Sequence, residues 1–217
     1  MSARLGSVRI EQEEILSRLE LFFDCGSPWT YLAFHGLEAL AAETGTELEL
    51  RPVLVGGIFN AINESVYAAR ADPVPQKWAY HQKDLQDWAQ YRGLEIRWPE
   101  TFPINSVKAM RGCLVALDQG CGPAYARAVF EAYWRDSKDI ASLEVLSDCA
   151  RRVGLDAAVL AEGVESDPIK ARLRANTEEV IARGGFGSPM IFLNETDLFF
   201  GQDRLELIRA RLQAERD

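Results

Sequence analysis

Three short stretches of this 217-residue sequence place polar groups where a predicted strand meets a helix or a turn. In "FFDCGSPWTYLA" an apolar run ends at Asp24, and Ser27 and Pro28 open an aromatic-rich helical pattern. Serine is a favoured N-cap and proline is tolerated in the first turn, so the pattern predicts a helix from Pro28. A helix N-terminus attracts anions, and the Ser27 hydroxyl could donate a hydrogen bond to one. The alternative is that Ser27 serves only as the N-cap.

The second stretch is "GGFGSPMIFL", in which glycines precede Ser188 and Pro189. Glycine permits backbone angles that other residues avoid, and proline is accepted at the first residue of a strand. A cis peptide bond before Pro189 would turn the carbonyl and N–H of Ser188 outward, where both could pair with an extended, peptide-like ligand. The alternative is a trans proline, which is the commoner form.

The third stretch, "FFGQDR", places Gln202 and Asp203 at the start of the predicted last helix. Their backbone N–H groups could hold a carboxylate, and the Asp203 side chain could hold an ammonium group. An N-terminal amino acid offers both groups. The alternative is a plain helix cap, for which aspartate is a favoured type.

Composition narrows the class of partner and the compartment. With 33 acidic and 24 basic residues, the formal net charge is −9, which argues against nucleic acid or an anionic membrane as the main partner. No apolar run approaches a membrane span, and the N-terminus lacks the apolar region of a secretory signal, so we expect a cytoplasmic protein. The four cysteines, Cys25, Cys113, Cys121 and Cys149, form no C-x-x-C pattern. We therefore expect free thiols and no metal site.

The hydrophobic pattern predicts two parts with different character. Strands over 18–24 and 46–54 enclose the helix 28–44 in a βαβ unit. Residues 55–75 then read as a long irregular connection. A block of helices follows, predicted over 75–93, 105–120, 123–134, 142–154, 156–163 and 166–185.

The two ends of the chain complete the predicted layout. Strands over 188–193 and 198–200 are joined by a turn, and a helix over 201–217 ends the chain. Residues 11–17 either form a short helix or fray.

Six stretches follow one another along the chain: "FFDCGSPWTYLA", "RPVLVGGIF", "KWAYHQKDLQDWAQYRG", "FPINSVKAMRG", "GGFGSPMIFL" and "FFGQDRLELI". In kind and order they resemble the 2-hydroxychromene-2-carboxylate isomerase family, which is similar to the kappa-class glutathione transferases and the DsbA-like disulfide oxidases. The resemblance implies an α/β, thioredoxin-like fold (βαβ…αββα) formed by residues 18–60 and 176–217. It also implies an all-helical insertion domain over 61–175 and an N-terminal extension over 1–17.

The same resemblance implies a role for Ser27. In the oxidase relatives a reactive Cys–Pro–x–Cys occupies the positions of "SPWT", so Ser27 and Thr30 stand at the two cysteine positions. In the isomerases and kappa transferases the serine hydrogen-bonds the sulfur of bound glutathione and lowers its pKa. The resemblance therefore implies that glutathione is the cofactor and that Ser27 is the catalytic residue.

Further cofactor-binding roles are implied motif by motif. Ser188 and Pro189 would pair with the cysteinyl backbone of glutathione. Gln202 and Asp203 would hold its γ-glutamyl end. Asn63, in the long connection, would lie next to the ligand.

Residues of the next helix and its surroundings complete the implied site. Lys77, Tyr80 and Asp84 share one helical face, where they would line the glycine end of glutathione or the substrate pocket. The alternative is an exposed polar face with Tyr80 half-buried. Pro28 and Asn60 are implied for the substrate pocket as well. Asn60 stands where the naphthalene-pathway isomerases have a lysine, which weakens the case for a chromene carboxylate unless Arg51, Lys77 or Arg111 compensates.

Three functions stay open at this point. The leading one is a glutathione-dependent isomerase of aromatic catabolism, which adds glutathione thiolate reversibly to a conjugated substrate. The second is a kappa-like transferase that conjugates glutathione to electrophiles. The third is a binding module, or a thiol–disulfide enzyme that uses Cys25. The resemblance implies a small aromatic or conjugated substrate as partner. It also implies a second copy of the chain, because the relatives are dimers through the helical region.

Overall fold

The computed structural model describes residues 17–215, which contain a four-stranded sheet. The strands are β1 (Arg18–Phe23), β2 (Glu47–Pro52), β3 (Met190–Leu193) and β4 (Asp197–Phe200). Their order is β2-β1-β3-β4, with β1 parallel to β2 and antiparallel to β3, and with β3 antiparallel to β4. The βαβ unit and the C-terminal hairpin thus share one mixed sheet, which confirms the predicted thioredoxin-like arrangement.

Eight of the ten α-helices of the described residues correspond, in order, to predicted helices. The ten are α1 (Pro28–Thr44), α2 (Val55–Ile62), α3 (Ser65–Ala71), α4 (Pro75–Tyr91), α5 (Val107–Asp118), α6 (Gly122–Phe130), α7 (Leu143–Arg152), α8 (Ala157–Glu165), α9 (Asp167–Ala182) and α10 (Leu205–Ala214), and a π-helical turn (Glu131–Arg135) continues α6. Most predicted ends differ from these by a few residues.

Helix α1 has the capping residues that the sequence predicts. The Ser27 Oγ accepts a hydrogen bond from the Thr30 N–H at 3.3 Å, and Pro28 occupies the first turn. Gly45 ends the helix with a φ of 62°, in the left-handed region that glycine adopts without strain. The start of the helix, and with it the position of the Ser27 hydroxyl, is therefore set by local sequence.

Two predictions about the remaining elements are wrong. Residues 55–75 are not an irregular connection, because they contain α2 and α3. The last helix begins at Leu205, not at 201, because Gly201 has a φ of 101° and a turn follows it. Gln202 and Asp203 therefore do not lie at the first turn of a helix. The possible helix over 11–17 falls outside the described residues except for Ser17.

The core is continuous between the sheet and the helical block. The Phe23 ring of β1 lies 6.1 Å from the Phe130 ring of α6, centroid to centroid, within one large cluster of buried side chains. On the other side, α9 is tied to the sheet, since the Asn176 side chain donates to the Pro52 carbonyl at 3.0 Å. The boundaries proposed for an insertion domain, at 61 and 175, stay a prediction. Within the described residues, no helix has the length and apolar character to cross a bilayer.

Candidate functional site

The N-terminus of α1 opens onto a cavity of about 500 Å³. Ser27 and Pro28 line it from α1, and Ser188 lines it from the loop before β3. The walls are mainly aromatic and come from α1, α2, α4, β4 and the segment before α5: Trp29, Phe59, Trp78, Trp98, Phe102 and Phe200. An apolar cavity with a few polar groups at one end suits a planar or conjugated small molecule.

Ser27 and Ser188 meet at the polar end of this cavity. The Ser27 hydroxyl donates to the Ser188 carbonyl at 3.1 Å, although the two residues are 161 positions apart. The predicted cis peptide bond between Ser188 and Pro189 is present. The Ser188 Oγ in turn accepts from the Asp24 N–H at 3.0 Å and lies 2.9 Å from the Thr30 Oγ1. The structure thus brings together two of the three stretches that the sequence singled out.

A buried carboxylate that the sequence reasoning missed holds this end of the cavity in place. Asp24 is fully buried, and it accepts hydrogen bonds from the Gly26 N–H at 2.8 Å, the Val55 N–H at 2.9 Å and the Ser106 hydroxyl at 3.0 Å. Burial raises the pKa of Asp24, and these three hydrogen bonds act in the opposite direction. One side chain therefore joins the turn before α1 to the starts of α2 and α5. The sequence offers one signal for this role. Asp24 is an acidic residue that directly follows the apolar run of a predicted strand, shortly before Ser27.

Cys25 faces the core, not the cavity. Its side chain is fully buried, and burial, with a further contribution from Cys113, raises the pKa of the thiol well above its usual value. Its carbonyl accepts a hydrogen bond from the Trp134 indole N–H at 2.9 Å, so the backbone is fixed as well. A buried thiol with a raised pKa is a poor nucleophile, which argues against dithiol chemistry at this position.

We expect the wild-type protein and Cys25→Ser to reduce insulin disulfides at the same negligible rate. The reason is that the thiol is neutral and shielded from a disulfide substrate. The measurement is insulin precipitation in the presence of dithiothreitol, with a thioredoxin as positive control. A wild-type rate above background that Cys25→Ser abolishes would contradict this assignment.

The third stretch lies elsewhere. Gln202 and Asp203 line a second cavity of about 530 Å³ together with Asp84, and this cavity shares no lining residue with the first. Gln202 is buried, and the Arg92 guanidinium donates to its backbone carbonyl at 2.9 Å and to its side-chain Oε1 at 3.0 Å. The Asp203 carboxylate lies 3.4 Å from Arg204. The structure does not bring the expected γ-glutamyl-binding residues into the cavity of Ser27, and their role stays a prediction.

Five other predicted site residues do not line either cavity, and one of them is Pro189, which follows the lining residue Ser188. Lys77 and Tyr80 are exposed on α4, and Tyr80 is 65% accessible. The Asn60 Oδ1 accepts from the Tyr67 hydroxyl at 2.7 Å. The Asn63 amide donates to the Phe186 carbonyl at 3.4 Å, which places it near the loop that carries Ser188.

His81 is part of the aromatic wall. Its Nε2 accepts from the Trp29 indole N–H at 3.1 Å, and its ring stacks on Trp78 with centroids 5.6 Å apart. Burial lowers the pKa of His81, so the imidazole is neutral near pH 7. Among the described residues, no group of three His, Cys, Asp or Glu side chains could hold a metal ion.

Comparison with known proteins places the chain in a family. A family model described as the DSBA-like thioredoxin domain matches residues 18–213. The chain belongs to this DSBA-like family. A 2-hydroxychromene-2-carboxylate isomerase of Sphingobium xenophagum is 30% identical over 200 residues, which are 89% of this chain and 97% of that protein. The relationship shows that the chain also belongs with the 2-hydroxychromene-2-carboxylate isomerases.

Two further relatives of this DSBA-like chain support its grouping with enzymes. Human glutathione S-transferase kappa 1 is 27% identical over 204 residues, or 88% of each chain. A solved structure of selenomethionine 2-hydroxychromene-2-carboxylate isomerase superposes with a TM-score of 0.79 and 25% identity, covering 91% of this chain and 95% of that one. The resemblance inferred from the six sequence stretches is confirmed.

Proposed function

We propose that this protein is a glutathione-dependent isomerase of the 2-hydroxychromene-2-carboxylate type. The observation that carries the proposal is the Ser27 hydroxyl at the N-terminus of α1, hydrogen-bonded to the Ser188 carbonyl at the polar end of an aromatic cavity. The isomerase from Sphingobium xenophagum, which this chain matches over nearly its whole length, supports the same reaction class.

Ser27 is suited to hold an anion, not to attack a substrate itself. A serine hydroxyl is not ionised near neutral pH, but it donates hydrogen bonds, and the N-terminus of α1 adds a partial positive charge. Glutathione, when bound, would supply a thiolate that adds reversibly to a conjugated carbon, so that rotation about the former double bond becomes possible. Ser27 and the α1 terminus would favour the thiolate form over the thiol.

The residues around Ser27 fit a peptide-like cofactor. In the structure the single O–H of Ser27 donates to the Ser188 carbonyl, and when this O–H turns to the thiolate the carbonyl can accept a backbone N–H of the ligand instead. The Ser188 hydroxyl is hydrogen-bonded to the Asp24 N–H and to the Thr30 hydroxyl, and these two bonds hold the residue that carries the carbonyl in position.

A kappa-like transferase is the second candidate, favoured by the similarity to human glutathione S-transferase kappa 1. The same thiolate serves both reactions, since only the fate of the adduct differs. An isomerase returns glutathione after each turnover, whereas a transferase releases the conjugate.

We expect the purified protein to convert 2-hydroxychromene-2-carboxylate in the presence of glutathione without consuming thiol. Conversion is followed by ultraviolet spectra, and free thiol is titrated in the same samples. Loss of one thiol per substrate consumed would favour the transferase. Unchanged spectra over hours, with enzyme and glutathione both present, would overturn the substrate assignment.

A further inference from the structure

Arg70 stands apart from the other residues that line the Ser27 cavity. It lies on α3, and among the described lining residues it is the one lysine or arginine. Its guanidinium carbon lies 5.3 Å from the centroid of the Phe59 ring and 5.5 Å from that of the Phe102 ring. Both rings are walls of the same cavity. Arg70 is exposed, so the cation rests on two aromatic rings at the solvent-accessible edge of a largely apolar cavity.

No carboxylate neutralises this cation within the described part of the chain. Arg70 makes none of the ion pairs found there, in contrast to Arg183, which binds Glu20 at 2.5 Å. The pKa of Arg70 is lowered by burial, whereas a hydrogen bond to Glu20 raises that of Arg183. An arginine stacked on aromatic rings keeps its in-plane N–H donors for a planar acceptor. The charge and the donors of Arg70 are therefore available to a ligand.

The other basic residues considered for binding an acidic substrate either have protein partners or do not line the cavity. Arg51 is paired with Glu49 and Glu179 on the opposite side of the sheet from α1. Arg111 lies 3.3 Å from the Val164 carbonyl, and Lys77 does not line the cavity.

We infer that Arg70 is the specificity-determining residue that binds the carboxylate of a planar aromatic or conjugated acid in this cavity. The inference deepens the proposed function and rests on it for the identity of the site. Position 60, where the resemblance implies a lysine, holds an asparagine whose Oδ1 accepts from the Tyr67 hydroxyl. In this arrangement Arg70 supplies the positive charge that is absent at position 60. The two serines and Arg70 line the same cavity, so a carboxylate bound at Arg70 would orient the rest of the substrate within it.

Equilibrium binding of a matched pair of probes tests this assignment without glutathione or turnover. The probes are naphthoate, a planar bicyclic acid, and naphthamide, its neutral counterpart. Quenching of tryptophan fluorescence reports binding, since Trp29, Trp78 and Trp98 line the cavity. The variants are Arg70→Gln, Arg70→Lys and, as a control, Arg174→Gln, which alters an exposed arginine on α9.

The wild type is expected to bind naphthoate about tenfold to a hundredfold more tightly than naphthamide, which is the typical contribution of a charge-assisted hydrogen bond. Arg70→Gln removes this preference, Arg70→Lys keeps part of it because lysine retains charge without the planar donors, and Arg174→Gln leaves it unchanged. Because α3 has no buried side chains, Arg70→Gln retains the fold, which circular dichroism verifies.

The inference is overturned if Arg70→Gln keeps the preference, or if the wild type shows none. Its failure is distinguishable from failure of the proposed function. Loss of the preference in Arg70→Gln, together with a wild-type protein that does not turn over a chromene carboxylate with glutathione, would support Arg70 and refute the isomerase. The reverse pattern would refute Arg70 alone.

Discussion

Replacing Ser27 by alanine is expected to lower kcat/KM for glutathione-dependent isomerisation by roughly 10²–10³-fold, the usual cost of removing one preorganised donor from a developing anion. The hydroxyl that now donates to the Ser188 carbonyl would be the donor to the thiolate. Its loss raises the pKa of the bound thiol, so a smaller fraction is ionised at neutral pH. The pH profile of the variant should therefore shift to higher pH. The measurement is kcat/KM across pH, with thiolate absorbance recorded in parallel.

The stability of the variant separates this chemical effect from a structural one. Ser27→Ala also removes the acceptor of the Thr30 N–H, which is expected to cost about 1 kcal/mol of unfolding free energy. Asp156→Ala is a matched control, because the Asp156 side chain caps α8 by accepting from the Ala158 N–H at 2.7 Å and does not line the cavity of Ser27. Full activity in Ser27→Ala at neutral pH would remove Ser27 from the mechanism.

The two parts of the site that local sequence specifies could be predicted. Ser27 and Pro28 carry an N-cap and a first-turn proline, and both signals depend only on near neighbours. The meeting of Ser27 with Ser188 could be expected only through the family resemblance, since 161 positions separate them. No hydrophobic pattern encodes such a distant contact.

The missed features depend on tertiary surroundings. Helix α2 contains two glycines, and the N–H of Val55 at its start is bound by Asp24, which is 31 positions away. Helix α3 buries no side chain, so it shows no apolar periodicity. The proposed role of Arg70 follows from its neighbours among the described residues, which are the Phe59 and Phe102 rings and no carboxylate in an ion pair with it. Charge alone could not distinguish Arg70 from Arg51 or Arg111 in the sequence.

The second large effect is expected from Asp24→Asn, because Asp24 accepts hydrogen bonds from the Gly26 N–H, the Val55 N–H and the Ser106 hydroxyl. A carboxylate accepts from all three of its donors, whereas the asparagine of Asp24→Asn has one accepting oxygen and an NH₂ group that can only donate. The Oδ1 bonds the Gly26 N–H and the Oδ2 bonds the Val55 N–H, so either orientation of the amide leaves one backbone N–H without an acceptor. Both N–H groups are partly buried, so leaving one unpaired is expected to cost about 1 kcal/mol, the lower end for an unpaired donor.

The hydrogen bond lost in Asp24→Asn is expected to disturb the geometry of the cavity as well as to lower the stability of the fold. Gly26 precedes Ser27, and Val55 begins the helix that carries Phe59 into the cavity. We therefore expect Asp24→Asn to lower kcat/KM by at least about tenfold, since small displacements of positioned groups reduce rates steeply. Asp156→Asn is the matched control. Asp156 caps α8 through the Ala158 N–H at 2.7 Å, and asparagine is an equally good N-cap.

The pH dependence of stability gives a readout that packing alone would not produce. Burial raises the pKa of Asp24 above its ordinary value of 3.8, so the folded chain keeps this proton to higher pH than the unfolded chain does. The contribution of Asp24 to stability is then largest below 3.8 and declines as pH rises through the folded-state pKa. Asparagine does not titrate. The unfolding free energy of the wild type minus that of Asp24→Asn, measured by urea denaturation, is therefore expected to decrease over this interval. An increase would mean that the three hydrogen bonds to Asp24 outweigh its burial.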